Sequence, residues 1–171
     1  MLKINEQQML RFAESRIRGF EERMVHHLGE LFPLRCAAMG ASSLRSMVQG
    51  GIRRATSHGL TVEKDVCLFI CAMCALGEGV DVDAHSPWVM QVLGKESPGT
   101  TSEKVERLCE LASERLSQAG DGPQDEAMEL QASTALAEAP RRAAQAQFCN
   151  RSPVERPIIP CPRKRGYLFS V

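Results

Sequence analysis

TVEKDVCLFICAMCALG, residues Thr61–Gly77, is the one long run of this chain that is apolar on almost every side. Thr61 is of a residue type that caps helix N-termini, and Gly77 is of the type that ends helices. The acidic Glu63 and Asp65 follow the cap at positions where the helix dipole favours negative charge. Because a helix without a polar face has to be covered on several sides, we expect this segment to be the buried centre of a small helical domain.

Amphipathic helices are predicted on both sides of the central segment, because apolar residues recur there at three- and four-residue steps between capping residues and helix breakers. The predicted helices run from Asn5 to the residue before Pro33, from Ser42 or Ser43 to His58, from Ser86 to Gly94 and from Thr101 or Ser102 to Gly120, with a helical turn at Leu34–Met39. The Gly50–Gly51 pair inside one of them predicts a close helix approach or a kink. No segment alternates with the period of a strand, so the predicted fold class is all-α, a compact bundle of about five helices around Thr61–Gly77.

A change in composition divides the chain after residue 120. Residues 1–120 are predicted to form the helical domain, and residues 121–171 an Ala-rich marginal helix followed by a largely disordered, Pro-rich and basic tail. The Ala-rich part is expected to end at Ala139, before Pro140. The tail carries an apolar group, Tyr167, Leu168 and Phe169, which could anchor a peptide on a partner protein; a simple disordered terminus is the alternative.

Composition limits the classes of partner. The 171 residues include 21 basic and 21 acidic side chains, so no global field favours nucleic acid or a membrane surface, and we expect neither as a partner. No apolar run reaches the roughly 18 residues of a membrane span, and the start of the chain does not resemble a signal peptide, which favours the cytoplasm. Seven cysteines in apolar segments fit reduced thiols in that compartment.

The spacing Cys67-x3-Cys71-x2-Cys74 has two interpretations. It matches the cluster motif of radical S-adenosylmethionine enzymes, in which three thiolates hold a [4Fe–4S] cluster. That motif lies on a loop of a parallel barrel, whereas these cysteines lie inside a predicted helix of a chain without strands. We therefore expect the thiols to be core filler, with no metal or cofactor, and keep a metal or iron–sulfur site at the three cysteines as the alternative. The four histidines form no ligand pair by local spacing.

The acidic loop before the short fourth helix is a candidate contact surface. Asp81 and Asp83 begin like a calcium loop, but the glycine and the final glutamate of such a loop are missing. We interpret them as solvated acids that, with Trp88, could contact a partner protein. Trp88 is either a lid on the core or an interface anchor, and the polar face of the first helix is a further candidate surface.

Two other functional classes, a DNA-binding protein and an enzyme, have weaker support in the sequence. Ser43–His58, the turn at Gly59 and the central helix have the outline of a helix-turn-helix, but the second helix offers few polar side chains to base edges. A DNA-binding regulator is therefore kept as an alternative. The sequence contains no nucleophile elbow, phosphate-binding glycine loop or zinc protease motif, so we do not expect an enzyme.

Three segments carry a resemblance to a known group of proteins. They are FEERMVHHLGELFP (Phe20–Pro33), LRSMVQGGIRRATSHGLTVEKDVCLFI (Leu44–Ile70), and LGEGVDVD with the following PWV and QVL (Leu76–Leu93). Together they resemble small, uncharacterised helical bacterial proteins encoded beside effector and spike genes of type VI secretion systems. The resemblance covers about Met1–Leu116 and carries over no catalytic residue. It implies a non-catalytic accessory role: an adaptor or chaperone for a secreted effector, or its immunity partner.

Overall fold

The computed structural model describes residues 6–77, 87–94, 96–118 and 125–145. These ranges contain seven α-helices and no strand. The helices are α1 (Glu6–Leu31), α2 (Pro33–Met39), α3 (Ala41–Ser57), α4 (Glu63–Leu76), α5 (Pro87–Leu93), α6 (Thr101–Gln118) and α7 (Asp125–Gln145). The predicted all-α bundle is confirmed.

Helix α4 is the centre of the bundle, as its sequence predicts. All residues from Asp65 to Ala75 are buried, and the helix contacts α1, α3, α6 and α7. Its start differs from the prediction: the cap position is held by Val62 in an extended conformation, and no side chain bonds to the exposed N–H groups. Gly77, with a φ of 109°, ends the helix in the left-handed region that favours glycine.

Helices α3 and α4 approach each other closely at Gly51. A Cβ atom placed on Gly51 would lie 2.7 Å from Cγ1 of Ile70, which is fully buried in α4. The predicted meaning of the glycine pair as a close helix approach is therefore confirmed at Gly51. The turn that joins the two helices places Leu60 in the core, where its N–H donates to the carbonyl of Ala55 at 2.9 Å.

Two helix starts lie away from their predicted caps. Helix α3 begins at Ala41, after Gly40, without the side-chain cap expected from a serine. Helix α6 is capped by Thr100 rather than by Thr101 or Ser102. The Thr100 N–H and hydroxyl both donate to Oε2 of Glu103, at 2.6 and 3.0 Å, and the Glu103 N–H donates back to the Thr100 hydroxyl at 3.3 Å. This is the reciprocal capping box, in which two otherwise unpaired N–H groups are satisfied.

Helix α7 extends further than its sequence predicts. It continues through Pro140 to Gln145, although proline inside a helix costs about 3 kcal/mol. Its buried apolar residues are mostly small: Ala132, Ala135, Leu136, Ala139 and Ala143. They pack against α4 and α6 in the same core cluster as the rest of the bundle, so the core reaches beyond the predicted boundary at residue 120. Burial on both sides of Pro140 offsets the missing backbone hydrogen bond.

None of the described helices combines the length and the apolarity that crossing a membrane requires.

Candidate functional site

Most of the candidate partner contacts lie outside the described residues. These are Asp81, Asp83, Tyr167, Leu168 and Phe169. Trp88 is described: it is half-buried in α5, packs against the core, and has the guanidinium of Arg115 in α6 over its ring, with Cζ 4.5 Å from the ring centroid. This stacking holds α5 against α6, and the packing of Trp88 against the core agrees with its predicted role as a lid on the core. Its contact with a partner stays a prediction.

The three cysteines of the central helix have different neighbours. Cys67 and Cys71 lie beside His27 of α1 in a group that is compact enough to bind one metal ion. One ligand atom from each residue lies within 4.8 Å of the other two. Cys74 lies outside this group. Seven residues of helix rise by roughly 10.5 Å, so Cys67 and Cys74 lie too far apart along the helix to bind one ion.

Cys74 instead makes a thiol pair with Cys36 of α2. The Cys74 thiol donates a hydrogen bond to the sulfur of Cys36, which lowers the pKa of Cys36. The same bond and the burial of Cys74 raise the pKa of Cys74. Cys36 is half-buried, whereas Cys74 is only 4% exposed. Of the two cysteines, Cys36, which is nearer to solvent, is therefore the one that ionises more readily to a thiolate.

The cluster of His27, Cys67 and Cys71, called here the His–Cys–Cys cluster, is fully enclosed. The three residues are 5%, 0% and 0% exposed. A hydrogen bond to Cys67 and burial raise the pKa of the Cys71 thiol well above its usual range, and the nearby His27 opposes part of that rise. At neutral pH the Cys71 sulfur is thus protonated while the cluster holds no cation.

Local spacing could not have found His27, because it is 40 positions from Cys67. It does lie on the apolar stripe of α1, between the buried Met24 and Leu31 and next to Leu28. Its neighbour His26 is exposed, with its Nε2 atom 3.5 Å from Oε1 of Glu30. The placement of a histidine on the buried stripe is the sequence signal that distinguishes the two.

A second feature is an apolar groove between α2 and α7, which has buried residues of α3 and α4 among its lining. It has a volume of about 210 Å³. Four of its lining residues are methionines: Met39, Met47, Met73 and Met128. Two of the three large apolar side chains exposed on the described surface, Leu34 (48%) and Leu130 (63%), are carried by the same two helices. We call this the methionine groove.

Arg35 lies in the wall of the methionine groove. One guanidinium N–H donates to the carbonyl of Cys74 at 3.1 Å. The Nε atom is buried and has no hydrogen-bond partner, and no ion pair joins Arg35 to an acidic side chain within the described ranges. A buried donor without a partner costs about 1–3 kcal/mol, so the groove contains a cation with hydrogen-bonding capacity to spare.

Comparison with known proteins gives no match: no family model, no curated protein and no solved structure is significantly similar to this chain.

Proposed function

We propose that this protein is a non-catalytic accessory protein that binds a segment of another protein in the methionine groove. The observation that carries the proposal is the groove itself, since four methionines from four different helices meet at one opening. Methionine has a flexible, polarizable side chain that adapts to different apolar partners, and methionine-rich surfaces are typical of proteins that bind several sequences. An amphipathic helix inserted into a groove is one common form of such binding.

The partner segment we propose is apolar and carries a carboxylate. The apolar part fills the space between Met39 and Met128, and the carboxylate accepts hydrogen bonds from Arg35. Charge-assisted hydrogen bonds of this kind contribute about 1.5–3 kcal/mol.

The resemblance to proteins encoded beside type VI secretion genes supports a particular kind of partner. A secreted effector or a component of the secretion system, bound in the bacterial cytoplasm, fits an adaptor, chaperone or immunity protein. An effector held before export has to be kept from premature contacts, and a groove for one apolar segment serves that purpose. Asp81, Asp83 and the apolar group of the tail remain candidate additional contacts.

The DNA-binding alternative is less well supported. Its recognition helix would be α4, and residues Asp65–Ala75 of that helix are all buried among other helices. A recognition helix has to present polar side chains to base edges, and the polar residues of α4 outside its buried run are Glu63 and Lys64. Both are already paired, with Arg23 and Glu106 respectively.

The test uses two neighbouring alanines of α2. Ala38 lines the groove and Ala37 does not, while both are exposed. The full chain is first used to recover its partner from its native bacterial host, and the recovered protein is then purified and titrated. We expect Ala38→Glu to weaken binding of that protein at least tenfold and the control Ala37→Glu to change it less than twofold, at equal thermal stability.

Two outcomes contradict the proposal. The first is recovery of no secretion-system protein by the full chain. The second is equal binding by the Ala38→Glu and Ala37→Glu variants, which would place the contact elsewhere on the molecule. Arg35→Gln then tests the carboxylate: it should weaken binding of the native partner but not of a partner whose acidic residues in the bound segment are replaced by amides.

A further inference from the structure

We infer that the His–Cys–Cys cluster is a binding site for one Zn²⁺ ion, held by the imidazole of His27 and the thiolates of Cys67 and Cys71. The inference is independent of the methionine groove and of any partner protein. It rests on the identity of the three donors, on their distances and on their burial.

The donors are arranged as a metal site requires. Cys67 and Cys71 are four residues apart, so successive turns of α4 bring both sulfurs to one face of the helix. His27 approaches that face from α1. Zn²⁺ bonds to sulfur at about 2.3 Å and to histidine nitrogen at about 2.0–2.1 Å, which places the ligand atoms of a tetrahedral site roughly 3.4–3.8 Å apart. From separations within 4.8 Å, side-chain rotation alone can close the site.

Charge balance and ligand type favour Zn²⁺ over Cu⁺, Ca²⁺ and Mg²⁺. Two thiolates and a neutral imidazole carry two negative charges, so the complex with Zn²⁺ is neutral, as an enclosed apolar site requires. A Cu⁺ ion would leave one uncompensated negative charge in the core. Ca²⁺ and Mg²⁺ prefer oxygen ligands, which the cluster does not offer.

Binding exchanges protons for the metal. Each cysteine loses its S–H proton to solvent as a Zn–S bond forms, so one Zn²⁺ ion displaces two protons and no oxidation takes place. Three protein ligands leave the fourth position of a tetrahedral site without a protein donor. The Cys109 sulfur does not belong to the group of ligand atoms that lie within 4.8 Å of one another, and its thiol donates a hydrogen bond to the carbonyl of Leu68 at 3.6 Å.

The bound ion would link the first helix to the central one. Among the described contacts between α1 and α4 are side-chain packing and the ion pair of Arg23 with Glu63 at 2.7 Å. A Zn²⁺ ion coordinated by His27 and both cysteines would cross-link α1 to α4, joining His27 to Cys67, which is 40 residues away in the chain. Zn²⁺ should therefore stabilise the fold, since it binds the folded state preferentially.

The experiment uses the full chain, freed of metal with a chelator under reducing conditions and titrated with Co²⁺ as a spectroscopic substitute for Zn²⁺. We expect one Co²⁺ per chain, with the visible bands of tetrahedral coordination and a thiolate-to-cobalt charge-transfer band. Added Zn²⁺ should remove both. Zn²⁺ alone should raise the midpoint of thermal unfolding.

Matched cysteine variants assign the ligands. Cys67→Ala and Cys71→Ala should lose the charge-transfer band and the thermal shift, whereas Cys74→Ala and Cys109→Ala, which remove equally buried thiols, should keep both. A variant in which Cys149 and Cys161, which lie outside the described residues, are replaced by serine should also keep them. Circular dichroism of each variant establishes that it folds.

Three results would overturn the inference. They are no binding of Co²⁺ or Zn²⁺ by the folded chain, retention of the charge-transfer band in folded Cys71→Ala, and its loss in the Cys149 and Cys161 variant. Where the cluster variants do not fold, X-ray absorption at the zinc edge of the unaltered protein decides: two sulfurs and at least one nitrogen support the site, and a shell without sulfur refutes it.

Discussion

Replacing Gly51 by alanine tests the packing of α3 on the central helix. Alanine is favoured over glycine inside a helix by about 1 kcal/mol, so propensity alone predicts stabilisation. The new methyl group, however, would lie 2.7 Å from Cγ1 of Ile70 and 3.4 Å from its Cδ1. Ordinary carbon–carbon contacts begin near about 3.5 Å, and Ile70 is fully buried, so one of the two helices has to shift.

Overpacking a core by one methyl group costs about 1–3 kcal/mol, which exceeds the gain from propensity. We therefore expect Gly51→Ala to lower the free energy of unfolding by about 1–2 kcal/mol. Gly29 in α1 is the matched control, because it is exposed and a Cβ there meets nothing within 4 Å. Gly29→Ala should raise the free energy of unfolding by about 0.5–1 kcal/mol. Urea denaturation followed by circular dichroism measures both.

A double variant isolates the contact. Ile70→Ala removes the atom that Gly51→Ala would strike, so in that background the Gly51 substitution should change sign and become stabilising. If Gly51→Ala stabilises the unaltered protein as much as Gly29→Ala does, the close approach of α3 and α4 is refuted. If the Gly51 substitution is equally destabilising with and without Ile70, its cost comes from another source.

Three further predictions concern single sites. Cys36 should react with iodoacetamide faster than the buried cysteines at pH 7–8, because its lowered pKa and partial exposure give it more accessible thiolate; mass spectrometry of the peptides measures the order. Thr100→Ala removes a helix cap and should lower the free energy of unfolding by about 1 kcal/mol, measured by urea denaturation. It should also raise the pKa of Glu103, which is lowered in the folded protein; carboxyl NMR titration measures this change. Because the pKa of Glu103 is lower in the folded than in the unfolded state, its ionised form stabilises the fold above the pKa of the unfolded state, and this effect is lost as pH falls through the pKa of the folded state. Ser102→Ala should cost about 1–3 kcal/mol, since it removes the 2.8 Å hydrogen bond to the buried carboxylate of Asp65; equal stability by thermal unfolding would contradict this.

The central helix and its neighbours could be predicted because the signals are local. The 14 residues of α4 lie within the run Thr61–Gly77, which is apolar on almost every side, and Gly77 marks the end of the helix through a backbone conformation that glycine adopts easily. The glycine at residue 51 likewise indicates a close contact without naming its partner. The starts of helices α3 and α4 are harder to predict from the sequence. Their cap positions are occupied by Gly40 and Val62, which form no side-chain hydrogen bond and are not residue types that indicate a cap of this kind.

Helix α7 was underestimated because its stability comes from tertiary packing. Alanines such as Ala139 and Ala143 carry little hydrophobic weight in a periodicity analysis, and Pro140 between them predicts an end. In the structure their small size lets α7 approach α4 and α6 closely. The His–Cys–Cys cluster and the methionine groove could not be predicted for a related reason. Each is assembled from helices that are far apart in the chain, so the spacing of residues within any one segment does not indicate the site.

The burial of α4 by α7 affects how the chain matures on the ribosome. Helix α4 is complete at Leu76, yet one of the helices that cover it ends at Gln145. At a synthesis rate of about 5–20 residues per second, roughly 3–14 s separate the two events. During that time an apolar surface of α4 stays open to solvent, to chaperones and to other nascent chains. The docking of the Ala-rich helix α7 is therefore the step after which the newly made protein no longer exposes this aggregation-prone surface, although α7 holds few of the bulky residues of the core.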